Sequence, residues 1–184
     1  KYYEGLTGKP CKILPSLMVE PELDILPFEK RSNTIIGGNF CSWYGGFDSY
    51  MIARFLGEAI YAPSMGRKRE DEERIQGLNH LPYMCWTEWI NILNHFKYAI
   101  HLMRTHAAGT FALNCAYLGI PCVGYKGLDT QEKCHPDLSI DIADLKTAKE
   151  KILSLKNDEK FYRHCADQAK LNYNSFYKDF SFKL

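Results

Sequence analysis

The stretch that decides the fold runs from Trp86 to Tyr125, WTEWINILNHFKYAIHLMRTHAAGTFALNCAYLGIPCVGY. Trp86, Trp89, Ile90 and Leu93 fall at i, i+3, i+4 and i+7, the spacing of one apolar helix face. Residues 98–103 (YAIHLM) are apolar almost throughout, as in a strand covered on both sides. Ala108, Phe111, Ala112 and Cys115 return to helical spacing, and Gly119 supplies a helix stop. Residues 120–125 (IPCVGY) read as a second buried strand. Helix, strand, helix and strand in this order predict parallel pairing through right-handed crossovers.

The same alternation extends outward. Residues 33–38 (NTIIGG) predict a buried strand ending in glycines. Residues 48–56 (DSYMIARFL) predict a helix with Asp48 as its N-cap. Short strands are expected at 58–64 and 138–142, and a weaker one at 78–84. Phe161, Cys165, Ala169, Tyr173 and Tyr177 recur every four residues and predict a closing helix. Residues 1–30 read as irregular, because Pro10, Pro15, Pro21 and Pro27 interrupt any long helix. The expected organisation is an irregular arm over 1–30 and one domain over 31–184. Its fold class is α/β, a doubly wound parallel sheet of Rossmann-like type.

Composition narrows the function. A chain of 184 residues suits one domain with a real core. The 46% hydrophobic and 24% charged residues are ordinary globular values and argue against a disordered chain or a fibre. A net charge of +1 gives no field for a nucleic-acid partner. The run RKREDEER at 67–74 balances its charges and reads as a solvated segment. The 7 cysteines are scattered without a C-x-x-C pair, which predicts free thiols, no zinc site and a reducing, cytoplasmic setting. Cys134 and His135 stand side by side in a polar loop, too few ligands for a metal. No apolar run reaches the ~18 residues of a transmembrane segment, and no signal-peptide pattern opens the sequence. It begins at Lys1, compatible with an excised domain.

In a doubly wound sheet, ligands bind beyond the carboxyl ends of the strands. Three strand-to-helix loops are therefore the candidates. The first holds Gly38, Asn39, Gly45 and Gly46, where glycine allows backbone to approach a ligand. Its spacing is not G-x-G-x-x-G, so no dinucleotide fingerprint is present. Trp43 and Tyr44, between the glycine pairs, read equally as ring platforms or as lid packing. The second loop is Leu81–Met84, where Tyr83 either stacks on a base or packs, and Met84 follows it. The third, Arg104-Thr105-His106-Ala107-Ala108-Gly109-Thr110-Phe111, leads from a strand into a helix. A helix N-terminus presents unpaired N–H groups and partial positive charge, small residues leave room, and Arg104 and His106 add donors. A phosphate is the natural occupant. Asp48 and Glu88 read as helix-start acids rather than catalytic carboxylates.

The 86–125 segment resembles the C-terminal domain of GT-B glycosyltransferases. In that family a helix and a buried strand lead into S-x-x-E-G-F-G, a small-residue helix with E-A-M-A, and G-x-P-V-V. Gly109 falls on the last glycine of the first motif, and residues 116–123 (AYLGIPCV) follow the second. The two glutamates that the family often carries fall on His106 and Asn114, so both acids are missing. The diphosphate-binding Arg and Lys of the family are not recognisable.

The resemblance implies a nucleoside-diphosphate-sugar site. His106 would be its catalytic residue, and the nucleotide-sugar would lie against Gly38, Asn39, Gly45, Gly46, Tyr83, Met84, Arg104, Gly109, Thr110, Phe111 and Asn114. Asn114 would hydrogen-bond the ribose. No metal or other cofactor is implied. The acceptor, and in inverting members the general base, would come from an N-terminal GT-B domain, so the chain by itself is expected to transfer no sugar. A nucleotide-sugar epimerase-like domain and a non-catalytic α/β partner-binding module are the alternatives. A receiver-type module would need an acidic cluster where this sequence has Gly38, Ser64 and Arg104 at its strand ends.

Overall fold

The structure, a computed structural model, describes residues 2–10, 18–38, 40, 44–63, 72, 74–105 and 109–178. In these residues six strands form: β1 (Ser32–Ile36), β2 (Ile60–Ala62), β3 (Leu78–His80), β4 (Phe96–His101), β5 (Cys122–Tyr125) and β6 (Ser139–Ile140). The helices are α1 (Tyr2–Thr7), α2 (Gly46–Ala53), α3 (Trp86–Leu93), α4 (Thr110–Leu118), α5 (Asp129–Cys134), α6 (Leu145–Asn157) and α7 (Glu159–Phe176).

The strands make one sheet in the order β3-β2-β1-β4-β5-β6, and every pairing is parallel. The fold is therefore the expected doubly wound α/β sheet. The sequence walks outward from β1 to β3, then returns to lay β4 beside β1, with Thr34 opposite Tyr98 and Ile36 opposite Ile100. At this reversal the crossovers diverge to opposite faces and leave a crevice above the strand ends.

Adjacent side chains of a strand point opposite ways, and the central strands β1, β4 and β5 bury residues on both faces. Ile35, Ala99 and Cys122 meet Ile90, Leu93, Ala112, Cys115 and Ala169 on one side. Ile36, Ile100 and Val123 meet Ile52, Ile152, Leu155 and Tyr162 on the other. The described thiols are free; all but Cys85 are buried, and burial pushes those of Cys134 and Cys165 up to about 12. They serve as small core hydrophobes.

Part of the proline-rich arm is fastened to the helices. Asn94 accepts from the Leu26 N–H at 3.1 Å and donates to the Asp24 carbonyl at 2.9 Å. Tyr117 and Tyr173 donate from their hydroxyls to Pro21 and Glu20. Arg31, 7% exposed, donates to the Leu118 carbonyl at 2.7 Å and the Gly119 carbonyl at 3.1 Å. It thereby caps the C-terminus of α4, where carbonyls lack helical partners. Arg31→Met is expected to destabilise the fold by about 3 kcal/mol, because two buried carbonyls lose charged donors. Urea unfolding of the variant measures it.

Three details differ from the sequence expectations. Asp48 lies inside the first turn of α2, whose N-cap is Gly45 in a left-handed conformation. The pattern around 145–157, with Ala148, Ile152 and Leu155 buried, forms α6, started by the Asp144 carboxylate accepting from the Thr147 N–H. Cys134 and His135 are 0% and 1% exposed rather than in a polar loop. His135 can be buried because its Nε2 donates to the Ala112 carbonyl at 3.0 Å. The rings Tyr162 and Tyr173 of the last helix, and Tyr177 directly after it, are buried against the domain's own core. Phe176, at 47%, is the ring of that helix that stays open.

Candidate functional site

A cleft of about 470 Å³ opens at the carboxyl ends of β1 to β4, on the side of α3 and α4. Gly38 closes it after β1, Pro63 after β2, and Pro82, Tyr83 and Met84 after β3. Tyr44, His101, Met103, Trp86, Trp89, Thr110, Phe111 and Asn114 complete the lining. The site therefore sits at the topological switch, where this fold class binds ligands.

One wall is a column of rings. Trp89 lies 6.2 Å from Phe111, and Phe111 lies 5.1 Å from the His101 imidazole, centroid to centroid. Trp89 and Phe111 come from α3 and α4, the two helices that pack on the same side of the sheet. Beneath it, Gly37 leaves the space that His101 fills: a Cβ there would stand 2.7 Å from the imidazole Cδ2. At the mouth, Tyr83 is 77% exposed and Trp86 is 37% exposed. Such rings offer faces to a planar partner.

The polar groups are few, and the described lining has no Asp, Glu, Lys or Arg. Thr110 stands at the first turn of α4, preceded by Gly109. Asn114, 3% exposed, has an Oδ1 without a hydrogen-bond partner. His101, 6% exposed, has an unpartnered Nδ1, and burial pushes its imidazole down to about 4. It is uncharged near neutral pH. Buried polar atoms are nearly always paired, and two of the unpartnered ones belong to residues that line this cleft.

The start of α4 is fixed from behind by polar residues of α5 and its cap. Thr130 donates from Oγ1 to the Gly109 carbonyl at 2.8 Å, and His135 donates to Ala112. Gln131 donates from Nε2 to the Cys122 carbonyl at 2.9 Å. These three side chains hold the helix N-terminus relative to β5. They carried no functional signal in the sequence, where only Cys134 and His135 are singled out, as part of a polar loop.

The expected site residues divide into three groups. Gly38, Tyr83, Met84, Thr110, Phe111 and Asn114 line the cleft together, and Gly109 lies directly before Thr110. Gly45, Gly46 and Arg104 are not in its lining. The first two are buried where α2 starts, and Arg104 donates to Asp48 at 2.7 Å, joining α2 to the end of β4. His106 and Asn39, with Trp43, lie outside the described residues. His101 and Trp89 were missed as site residues. His101 had one available signal, a lone imidazole inside the otherwise apolar run 98–103.

No family model and no curated protein matches the chain. Solved structures do. The C-terminal domain of a glycosyl transferase group 1 family protein from Francisella tularensis matches 80% of this chain and 86% of its own, at TM-score 0.63 and 12% identity. The fold is that of a GT-B C-terminal domain. Sucrose-phosphate synthase from Thermosynechococcus elongatus gives a TM-score of 0.67 at 12% identity, over 86% of this chain and 44% of that one. An α-glucosyltransferase solved in complex with UDP gives 0.67 at 14% identity, over 85% and 50%. This GT-B-type domain thus spans about half the length or less of these two larger glycosyltransferases. Among its described residues, no helix is long and apolar enough to cross a membrane.

Proposed function

We propose that this chain is the nucleotide-sugar-binding domain of a glycosyltransferase, and that the cleft holds a nucleoside-diphosphate sugar. The observation that carries the reading is the cleft at the switch point, with the N-terminus of α4 and the orphaned Asn114 amide in one wall. The exposed rings of Tyr83 and Trp86 give the base a stacking surface. Asn114 lies one helical turn beyond Thr110 and accepts from the ribose. The diphosphate faces the start of α4, where unpaired N–H groups and the helix dipole favour negative charge. In sugar transfer, charge builds on the departing diphosphate. Donors fixed at that point stabilise it without having to reorganise. Thr130 and His135, which anchor Gly109 and Ala112, keep those donors in place. The acceptor comes from a second domain, as the half-length coverage of larger glycosyltransferases suggests.

The test is thermal stabilisation by UDP, GDP, ADP, CMP and their sugar conjugates, with NAD as control. At about 100 times its dissociation constant, the correct nucleotide is expected to stabilise the fold by roughly 2.7 kcal/mol. Asn114→Leu is expected to reduce that shift while leaving the unliganded melt close to wild type, because the amide Oδ1 has no partner to lose. No shift with any nucleotide, from a folded sample, would overturn the proposal.

A further inference from the structure

His101 has no role in the reading above, yet its position is specific. It closes β4, it is 6% exposed, its ring packs on Phe111, and Gly37 gives it room. Its Nδ1 and the Oδ1 of Asn114 are unpartnered, and both residues line the cleft. Asn114 is one helical turn from Phe111, the ring that His101 contacts, and all three residues line the same cleft.

The chemistry of the pair selects its ligand. An amide oxygen only accepts, so it needs a donor. A neutral imidazole offers one donor and one acceptor. A hydroxyl is both, and vicinal hydroxyls satisfy both residues at once. A phosphate oxygen would face the Asn114 oxygen with like polarity, and the lining has no carboxylate to attract a cation.

We infer that His101 and Asn114 form an uncharged pair that reads the hydroxyls of a sugar ring in the cleft, with His101 a binding residue in its own right. The inference rests on the nucleotide-sugar reading for its setting, but the hydroxyl chemistry is shared by the ribose and by the transferred sugar. It does not require the ring to carry charge at any step.

The experiment measures dissociation constants by calorimetry for the wild type, His101→Leu and His101→Gln. The probes are the best-binding nucleoside diphosphate, its 2′,3′-dideoxy counterpart and its sugar conjugate. In parallel, the imidazole and side-chain amide resonances of the wild type are followed by NMR, with methyl riboside as a nucleotide-free probe. His101→Leu is expected to weaken the ribonucleotide about five- to tenfold, the usual effect of losing one neutral hydrogen bond, and to leave the dideoxy form unchanged. His101→Gln, which keeps a polar end, recovers part of the loss. A loss confined to the sugar conjugate also supports the pair and assigns it to the transferred sugar. Equal weakening of the ribo and dideoxy forms, or no weakening of any probe, overturns the inference. If no nucleotide binds but methyl riboside shifts the His101 and Asn114 resonances, the nucleotide reading fails and the hydroxyl pair stands. No shift of either resonance with any probe removes the pair.

Discussion

Gly45→Ala is expected to cost about 4 kcal/mol or more and to unfold much of the protein at room temperature. Gly45 is the N-cap of α2 at φ 63, a conformation that L side chains rarely adopt. Its neighbours make the position far stricter. An added Cβ would fall inside the contact radius of the Leu102 carbonyl oxygen and 2.9 Å from the Leu102 carbonyl carbon. Neither can swing away as a side chain would. Ser49 holds the two segments in that closeness: its Oγ donates to the Gly45 carbonyl and accepts from the Leu102 N–H, each at 2.9 Å. The alanine must therefore push the start of α2 off the end of β4, beneath the cleft. Gly57 provides the control. It has φ 72, but the nearest atom to its would-be Cβ is the flexible Lys156 Nζ at 3.8 Å. Gly57→Ala pays only the left-handed backbone penalty, about 1–2 kcal/mol. Denaturant melts of the two variants compare them directly, and equal losses would show that the Leu102 contact does not matter.

The glycine result also shows where sequence reading succeeds and where it stops. The Gly38–Gly46 loop is visible as a cluster of glycines, and close backbone approach is the right physical reading. The sequence does not say what approaches. At Gly45 it is the Leu102 carbonyl, a neighbour 57 residues away by the difference of the two numbers, so the glycine serves the fold. At Gly38 the partner is the Tyr44 backbone, and the residue also lines the cleft. Arg104 has the same ambiguity: a cation at a strand end suits a phosphate, but Asp48 arrives from the first turn of α2 and takes its guanidinium.

The central strands were legible because a parallel sheet covered on both faces needs apolar runs, and β5 and residues 98–100 of β4 are such runs. Thr130, Gln131 and His135 were not, because a polar residue is buried only when tertiary structure brings a partner. Their partners, Gly109, Cys122 and Ala112, lie on other elements. His101 was hidden for a related reason. An apolar run with one histidine in it predicts a buried ring, and only the assembled cleft shows that its Nδ1 is unpartnered.

Lowering the pH from about 6.5 to 4 is expected to remove roughly 6 kcal/mol of stability through His101 and His135 alone. Both imidazoles are pushed down to about 4, chiefly by burial. The unfolded chain takes up these protons near pH 6.5, the ordinary value for histidine, whereas the native state refuses them until near pH 4. Above pH 6.5 both states are neutral and the full stability is present. As the pH falls through that window, only the unfolded state gains protons, so stability falls by about 1.4 kcal/mol per pH unit for each ring. Below pH 4 both states are protonated and the loss levels off. Urea unfolding from pH 7.5 to 4.5 should therefore show uptake of nearly two protons around pH 5 from these rings. His135→Gln keeps an end able to donate to Ala112 and is expected to lower the slope by one proton. Stability that stays flat between pH 7 and 5 would mean that both rings are charged in the native fold. That would make His101 a cation in the wall that Asn114 also lines, where it would attract the diphosphate rather than a hydroxyl, and the uncharged pair would have to be abandoned with it.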